Sequence, residues 1–254
     1  MIDYLFIGSH PDDCEIFVGG TILRFKDQGF RVGILDLTKG EMGSYGTVNT
    51  RASEMKKANQ LMKLDFRMTL DFPDGKLENN LLVKEKVIDV LRETQAQMVF
   101  TFPEACRHPD HQTVHHIVKE SVFLAGLKRY KTKRKLAASR PQALAYFVEF
   151  YRPKEISFVV DITEVYKKKE KLVQCYSTQV IDKNQREDLA TSNLENDQSL
   201  EKGTFIRSPA FWDDFEGRAK WFGSLSGVRY AEAFTTTYPP HLDHPLTHFS
   251  RGYV

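Results

Sequence analysis

Over residues 4–124 the chain alternates short apolar runs with segments of helical spacing, and a loop follows each apolar run. Tyr4 to Ile7 is a run of the kind a buried parallel strand needs. The turn-rich Ser9-His10-Pro11-Asp12-Asp13 follows it. Glu15 to Gln28 has helical spacing, with Ile16, Ile22, Leu23 and Phe25 available for one face, and Gly29 stops it. Phe30 to Leu37 reads as a second strand, Thr38 to Thr50 as a polar loop and Arg51 to Met62 as a helix. Phe66 to Leu70 reads as a strand and Phe72-Pro73-Asp74-Gly75 as a turn. Leu81 to Thr94 is a further helix, Met98 to Phe102 a strand, Glu104 to Asp110 a polar loop and His111 to Leu124 a helix.

This repeat predicts an α/β, Rossmann-like, mostly parallel sheet with helices on both faces. In such folds ligands bind outside the carboxyl ends of the strands. The unusual polar residues fall in those positions: after the first strand, after the second, and after Met98–Phe102. The second half is less regular. Ala143 to Phe150 and Phe158 to Ile162 read as strands, Thr163 to Tyr176 as a charged helix and Pro209 to Phe222 as a helix with aromatics. Lys128 to Lys135 is a basic run, read as a solvated helix end or loop. Residues 182–202 read as a polar insertion, and residues 236–254 as an irregular tail with prolines and histidines. A length of 254 residues suits one domain over 1–254 with a single large core.

Composition narrows the function classes. The formal net charge is +2, so the chain as a whole is no polyanion binder, and no nucleic-acid partner is expected. Cys14, Cys106 and Cys175 are far apart and odd in number, which argues against a disulfide scaffold and suits a reducing cytoplasm. No apolar stretch approaches the ~20 residues of a membrane span. The N-terminus carries Asp3 where a signal peptide carries basic residues.

Two clusters carry chemistry: Ser9-His10-Pro11-Asp12-Asp13-Cys14-Glu15, and Arg107-His108-Pro109-Asp110-His111. Each contains His-Pro-Asp directly after a strand, which puts imidazoles and carboxylates at one end of the sheet. A single such loop reads as a turn with a capping aspartate. Two together, the first with an extra Asp and the second with an extra His, read as a metal centre. Zinc accepts imidazole nitrogen and carboxylate oxygen, and a catalytic site keeps one position open for water. Of two neighbouring aspartates, one can bind metal while the other accepts a proton. A dinucleotide-binding oxidoreductase also begins strand-loop-helix. Here the first loop lacks GxGxxG, and its two aspartates would repel a pyrophosphate.

On these residues the chain resembles the LmbE/PIG-L family of zinc-dependent N-deacetylases. His10-Pro11-Asp12-Asp13 with Glu15 matches the family's (A)HPDDxE motif, with Ser9 where Ala is usual, and His108-Pro109-Asp110-His111 matches its HxDH motif. Thr38–Ser44, Phe72–Gly75, Phe158–Ile162 and Gly223–Tyr230 look like the branch that removes acetate from N-acetylglucosaminyl-malate in bacillithiol biosynthesis. The resemblance implies that His10, Asp13 and His111 ligate Zn²⁺, with Fe²⁺ able to compete for such a set. It implies that Asp12 is the general base, and that His108 stabilises the oxyanion or protonates the leaving amine, held by Asp110. Arg51 matches a substrate-contacting arginine, suited to a carboxylate by its fork of donors, and otherwise reads as a surface arginine at a helix start. Glu41 and Asp74 read equally as sugar-hydroxyl ligands and as turn or capping residues. The implied partner is a small amino-sugar conjugate, with no membrane, in a homo-oligomer, hexamers among the family's forms. A deacetylase for another N-acetylglucosamine derivative, and a non-catalytic metal- or sugar-binding module, are the rival readings. Cys14 and Cys106 read as small packing residues, His241, His244 and His248 as exposed histidines, and Arg152 as a candidate carboxylate contact.

Overall fold

A computed structural model of the chain describes residues 1–149, 155–183 and 204–239. In chain order the elements are β1 (Tyr4–Gly8), α1 (Asp13–Asp27), β2 (Val32–Thr38), α2 (Val48–Met62), β3 (Phe66–Phe72), α3 (Leu81–Thr94) and β4 (Met98–Thr101). Then come α4 (Pro109–Ala125), β5 (Ala143–Phe147), β6 (Phe158–Asp161), α5 (Tyr166–Gln174), α6 (Pro209–Ser224) and β7 (Ala231–Thr236). The strands form one sheet in the order β3-β2-β1-β4-β5-β7-β6. β1 to β5 pair in parallel, and β7 runs antiparallel to both β5 and β6. The expected mostly parallel α/β sheet is therefore present. One helical layer joins α1, α2 and α5, and another pairs α3 with α4.

Local chemistry sets several boundaries. α2 starts at Val48, three residues before the expected Arg51, because Thr47 and Thr50 form a reciprocal cap. Thr47 Oγ1 accepts from the Thr50 N–H, and the Thr47 N–H donates to Thr50 Oγ1. α4 starts at Pro109, whose missing N–H costs nothing in a first turn. The expected helix over 163–176 divides into a 3₁₀ turn, Thr163–Val165, and α5. The expected strand over 143–150 ends at Phe147. Most of the polar insertion, Arg152, and the tail histidines His241, His244 and His248 lie outside the described residues.

Sequence patterning did not anticipate β7. It reads Ala231-Glu232-Ala233-Phe234, and all four residues are buried. The reason lies in α1, which is two helical pieces joined at Val18, where φ is −138° and ψ is 21°. The break frees backbone donors on its C-terminal side. Glu232 takes them: Oε1 accepts from the Gly20 N–H at 2.9 Å and Oε2 from the Thr21 N–H at 2.6 Å. Lys169 on α5 compensates the buried carboxylate at 2.7 Å. A Cβ at Gly20 would sit 2.8 Å from the Ile162 side chain and 2.9 Å from Glu232 Oε1, so a larger residue there would push both aside. The first turn of α1 is thus a separate piece that belongs to the loop after β1.

The core runs across the sheet as an aromatic row. Phe6 stacks on Phe100 at 4.6 Å, Phe100 meets Phe234 at 5.2 Å, and Phe234 stacks on Phe158 at 5.1 Å. Ala145, in register with Phe100, is small enough to let Phe100 reach across β5. A charged cluster is buried beside this core. Arg67 on β3 grips Asp36 on β2 with Nε and Nη2 at 2.9 and 3.0 Å. Its Nη1 reaches Glu15 at 2.5 Å and Asn59 at 2.9 Å. Tyr176 donates to the same Glu15 oxygen at 2.7 Å. Removing the cation would leave two carboxylates buried without a counter-charge. Arg67→Met is expected to cost about 3–5 kcal/mol of stability, read from the shift of the urea midpoint at constant slope.

Candidate active site

The order β3-β2-β1-β4 means the chain winds outward from β1 and returns to its other side at β4. Between β1 and β4 their trailing loops diverge, which opens a crevice at the carboxyl edge. Both His-Pro-Asp loops lie there. β1 ends at Gly8, and its loop turns on Asp13, whose Oδ2 accepts from the Ser9 N–H at 3.0 Å and the His10 N–H at 2.7 Å. β4 ends at Thr101, and its loop delivers His108 as the N-cap of α4, with His111 in the first turn.

These loops bring the expected ligands together. Asp13 Oδ2 lies 3.2 Å from His10 Nδ1, and Asp13 Oδ1 lies 3.2 Å from His111 Nε2. All three residues are buried, and their donor atoms lie within 4.8 Å of one another. Outer contacts orient the rings. His10 Nε2 lies 2.9 Å from Asp74 Oδ1 and 3.5 Å from Asp110 Oδ2, so its inner nitrogen is left to face Asp13. His111 stacks on Phe102 at 3.7 Å. Two imidazole nitrogens converging on one carboxylate form a donor set suited to a divalent cation with an open position, so the residues fit a metal. The charge balance points the same way. Burial alone would raise the Asp13 pKa, yet His111 and His10 hold it well below the usual carboxylate range. Burial alone would lower that of His10, yet Asp13, with Asp110 and Asp74, holds it well above the usual imidazole value.

Asp12 sits beside this set with φ at 124°, in the region that side chains rarely adopt. It is buried, and burial raises its pKa to about 7 against the pull of Arg51. Arg51 comes from α2, donating through Nη2 to Asp12 Oδ2 at 3.0 Å and through Nε to the Pro11 carbonyl at 3.0 Å. Gly40 and Gly43 wall the guanidinium closely, and Arg51 Nη1 is buried with no partner. Arg51 is therefore no surface residue; it joins the loop after β1 to the cavity.

The remaining expected residues divide. Asp74 holds His10 and also accepts from the Met42 N–H at 2.9 Å. Glu41 accepts from the Asp74 N–H at 2.8 Å, which is the capping reading. The Asp110 carboxylate accepts from the Gly75 N–H at 2.7 Å and faces His10, whereas it is the Asp110 backbone N–H that donates to His108 Nδ1 at 3.2 Å. That bond leaves the His108 proton on Nε2. Burial, then the neighbouring His111 and His10, hold the His108 pKa below its usual value, so this ring is a neutral donor.

A cavity of about 280 Å³ opens over these groups, just below the ~300–1,000 Å³ of small-molecule sites. Glu149, Gln179, Phe17 and Phe211 also line it, and sequence reading assigned none of them a role. Gln179 Nε2 donates to the Tyr45 carbonyl at 2.8 Å and to Thr178 Oγ1 at 2.9 Å, which fixes its amide. Those contacts come from segments remote in sequence, and no local pattern marks them.

Comparison with known proteins identifies relatives of the chain. Residues 5–122 match the family described as GlcNAc-PI de-N-acetylase, PIG-L. A diacetylchitobiose deacetylase of Thermococcus kodakarensis is 31% identical over 186 residues, which is 69% of this chain and 69% of that protein. A crystal structure of a conserved protein from Thermus thermophilus superposes with TM-score 0.80 at 32% identity, covering 95% of this chain and 97% of that one. A 4-oxalmesaconate hydratase of Pseudomonas putida is 24% identical over 196 residues, 69% of this chain and 73% of that protein.

His10→Ala and His111→Ala are each expected to abolish stoichiometric metal binding, because each removes one of three donors. Asp12→Ala removes none and is expected to retain the metal. Metal analysis of the dialysed variants checks both, and a metal-free Asp12→Ala would place Asp12 among the ligands.

Proposed function

The chain belongs to the GlcNAc-PI de-N-acetylase (PIG-L) family, and from that premise we propose that it hydrolyses the acetamide of an N-acetylglucosaminyl conjugate. The conjugate is N-acetylglucosaminyl-malate, giving glucosaminyl-malate and acetate in bacillithiol biosynthesis. The observation that carries the chemistry is the convergence of His10, Asp13 and His111 beside a buried, strained Asp12. What supports the branch is the set of segments Thr38–Ser44, Phe72–Gly75, Phe158–Ile162 and Gly223–Tyr230. The cavity suits one sugar unit with a small appendage rather than an enclosed polymer.

A divalent ion, zinc in this reading, would be held by His10, Asp13 and His111, and when bound it polarises the carbonyl and acidifies water. Asp12 accepts the proton of the attacking water as its oxygen bonds to the carbonyl carbon. Arg51 Nη2 keeps the Asp12 carboxylate in place for this. The carbonyl oxygen gains negative charge, and the His108 Nε2–H donates to it. Asp12 then returns its proton to the sugar nitrogen, the C–N bond breaks, and acetate and the free amine leave. His108 is the weaker candidate for that proton, since its surroundings keep it neutral. The free Arg51 Nη1 and the fixed Gln179 amide bind oxygens of the sugar or of its malate carboxylate.

The test is acetate release by metal-replete protein from N-acetylglucosaminyl-malate, diacetylchitobiose and N-acetylglucosamine. A preference for the malate conjugate, abolished by chelation, is expected. A preference for diacetylchitobiose would keep the deacetylase and remove the bacillithiol assignment. No release from any of the three by zinc-loaded protein would favour a binding module. Asp12→Ala is expected to lower kcat by about 10²–10⁴.

A further inference from the structure

We propose that Cys106 is a positioning residue for the metal site, a thiol that links the His111 imidazole to the Glu149 carboxylate. The proposal rests on reading His111 as a ligand. Stacking on Phe102 at an interplanar angle of 9° fixes the plane of the His111 ring. Phe17 meets the ring edge-on at 5.9 Å. Neither contact fixes rotation of the ring within that plane, nor which nitrogen carries the proton. Nδ1 does both, and the atom it meets is Cys106 Sγ at 3.0 Å.

The same sulfur lies 2.7 Å from Glu149 Oε1. A thiol has one proton, and a carboxylate only accepts. The S–H therefore points to Glu149, and the sulfur lone pair receives the His111 Nδ1–H. With His111 neutral, as a metal ligand must be, that leaves Nε2 as a bare acceptor facing Asp13 Oδ1, another acceptor, at 3.2 Å. Two lone pairs at that distance are reconciled by a cation between them. Ligating histidines commonly give their outer N–H straight to a carboxylate. Here the carboxylate stands one atom further back, behind sulfur.

The loop is built around this thiol. Gln112, in α4, donates through Nε2 to the Cys106 carbonyl at 2.6 Å, which ties the thiol to the helix that carries His111. Cys106 and Glu149 are both buried. Glu149 follows β5, the strand paired with β4, so the relay joins two neighbouring strand ends.

The experiment measures zinc affinity by competition with a chromophoric chelator, and the absorption spectrum of the Co²⁺-loaded protein. C106A and E149L are expected to weaken zinc binding about 10–100-fold, and C106S, which keeps a donor and an acceptor, by less. Co²⁺-loaded wild-type protein is expected to lack a thiolate-to-cobalt charge-transfer band. Zinc affinity of folded C106A within about twofold of wild type would overturn the proposal. So would a charge-transfer band that disappears in C106S, which would make the sulfur a ligand. Neither readout involves acetate release. Failure of the deacetylase reading therefore leaves this result standing, whereas a wild-type chain that binds no divalent cation overturns the ligand assignment and the relay together.

Discussion

The Asp13 carboxylate holds the site together. One oxygen takes two backbone N–H groups of its own loop, and both oxygens face imidazoles. A buried carboxylate is costly unless every lone pair has a partner. Asp13 obtains the last of its partners, His111, only when the loop after β1 and the start of α4 lie side by side. The switch in winding direction between β1 and β4 supplies that adjacency. The convergence of His10, Asp13 and His111 is thus a property of strand order first and of loop sequence second.

The same end of the sheet carries an unusual load of buried acid. Asp12, Asp74 and Asp110 surround the metal set, and Glu15 and Asp36 lie behind it. The arginines divide the work. Arg67 neutralises Glu15 and Asp36 from β3, and Arg51 reaches Asp12 from α2. Arg67 is fully engaged and structural, whereas Arg51 lines the cavity and keeps one buried nitrogen without a partner. The Glu of the first motif therefore has no place at the reacting centre. It anchors the start of α1 to β3 and, through Tyr176, to the second half of the chain.

The second half completes what the first half begins. Glu232 on the antiparallel β7 caps the interior break of α1, and Lys169 from α5 balances it. This separates the turn bearing Asp13 and Phe17 from the long packed part of the helix. Gln179 and Glu149 close the cavity from segments with no local signature. Each of these contacts spans a large distance along the chain, so no periodicity or motif window contains it.

Sequence alone determined the parallel half of the sheet, because buried strands and amphipathic helices have different apolar periods and their alternation allows few topologies. It also marked the two His-Pro-Asp loops as a candidate metal centre, because imidazoles and carboxylates recur directly after two strands. Tertiary structure decided what periodicity cannot express. Strand β7 escaped notice because Glu232, its second residue, breaks the apolar pattern, and only the broken helix opposite explains that glutamate. Arg51 had a second reading as a surface arginine at a helix start until folding buried it against Asp12. Cys106 read as packing until β5 placed Glu149 behind it. Local sequence fixes which groups are available and which face they occupy. The partner that sets a buried group's charge, tautomer and role arrives from elsewhere in the chain, and only the fold brings it within hydrogen-bond distance.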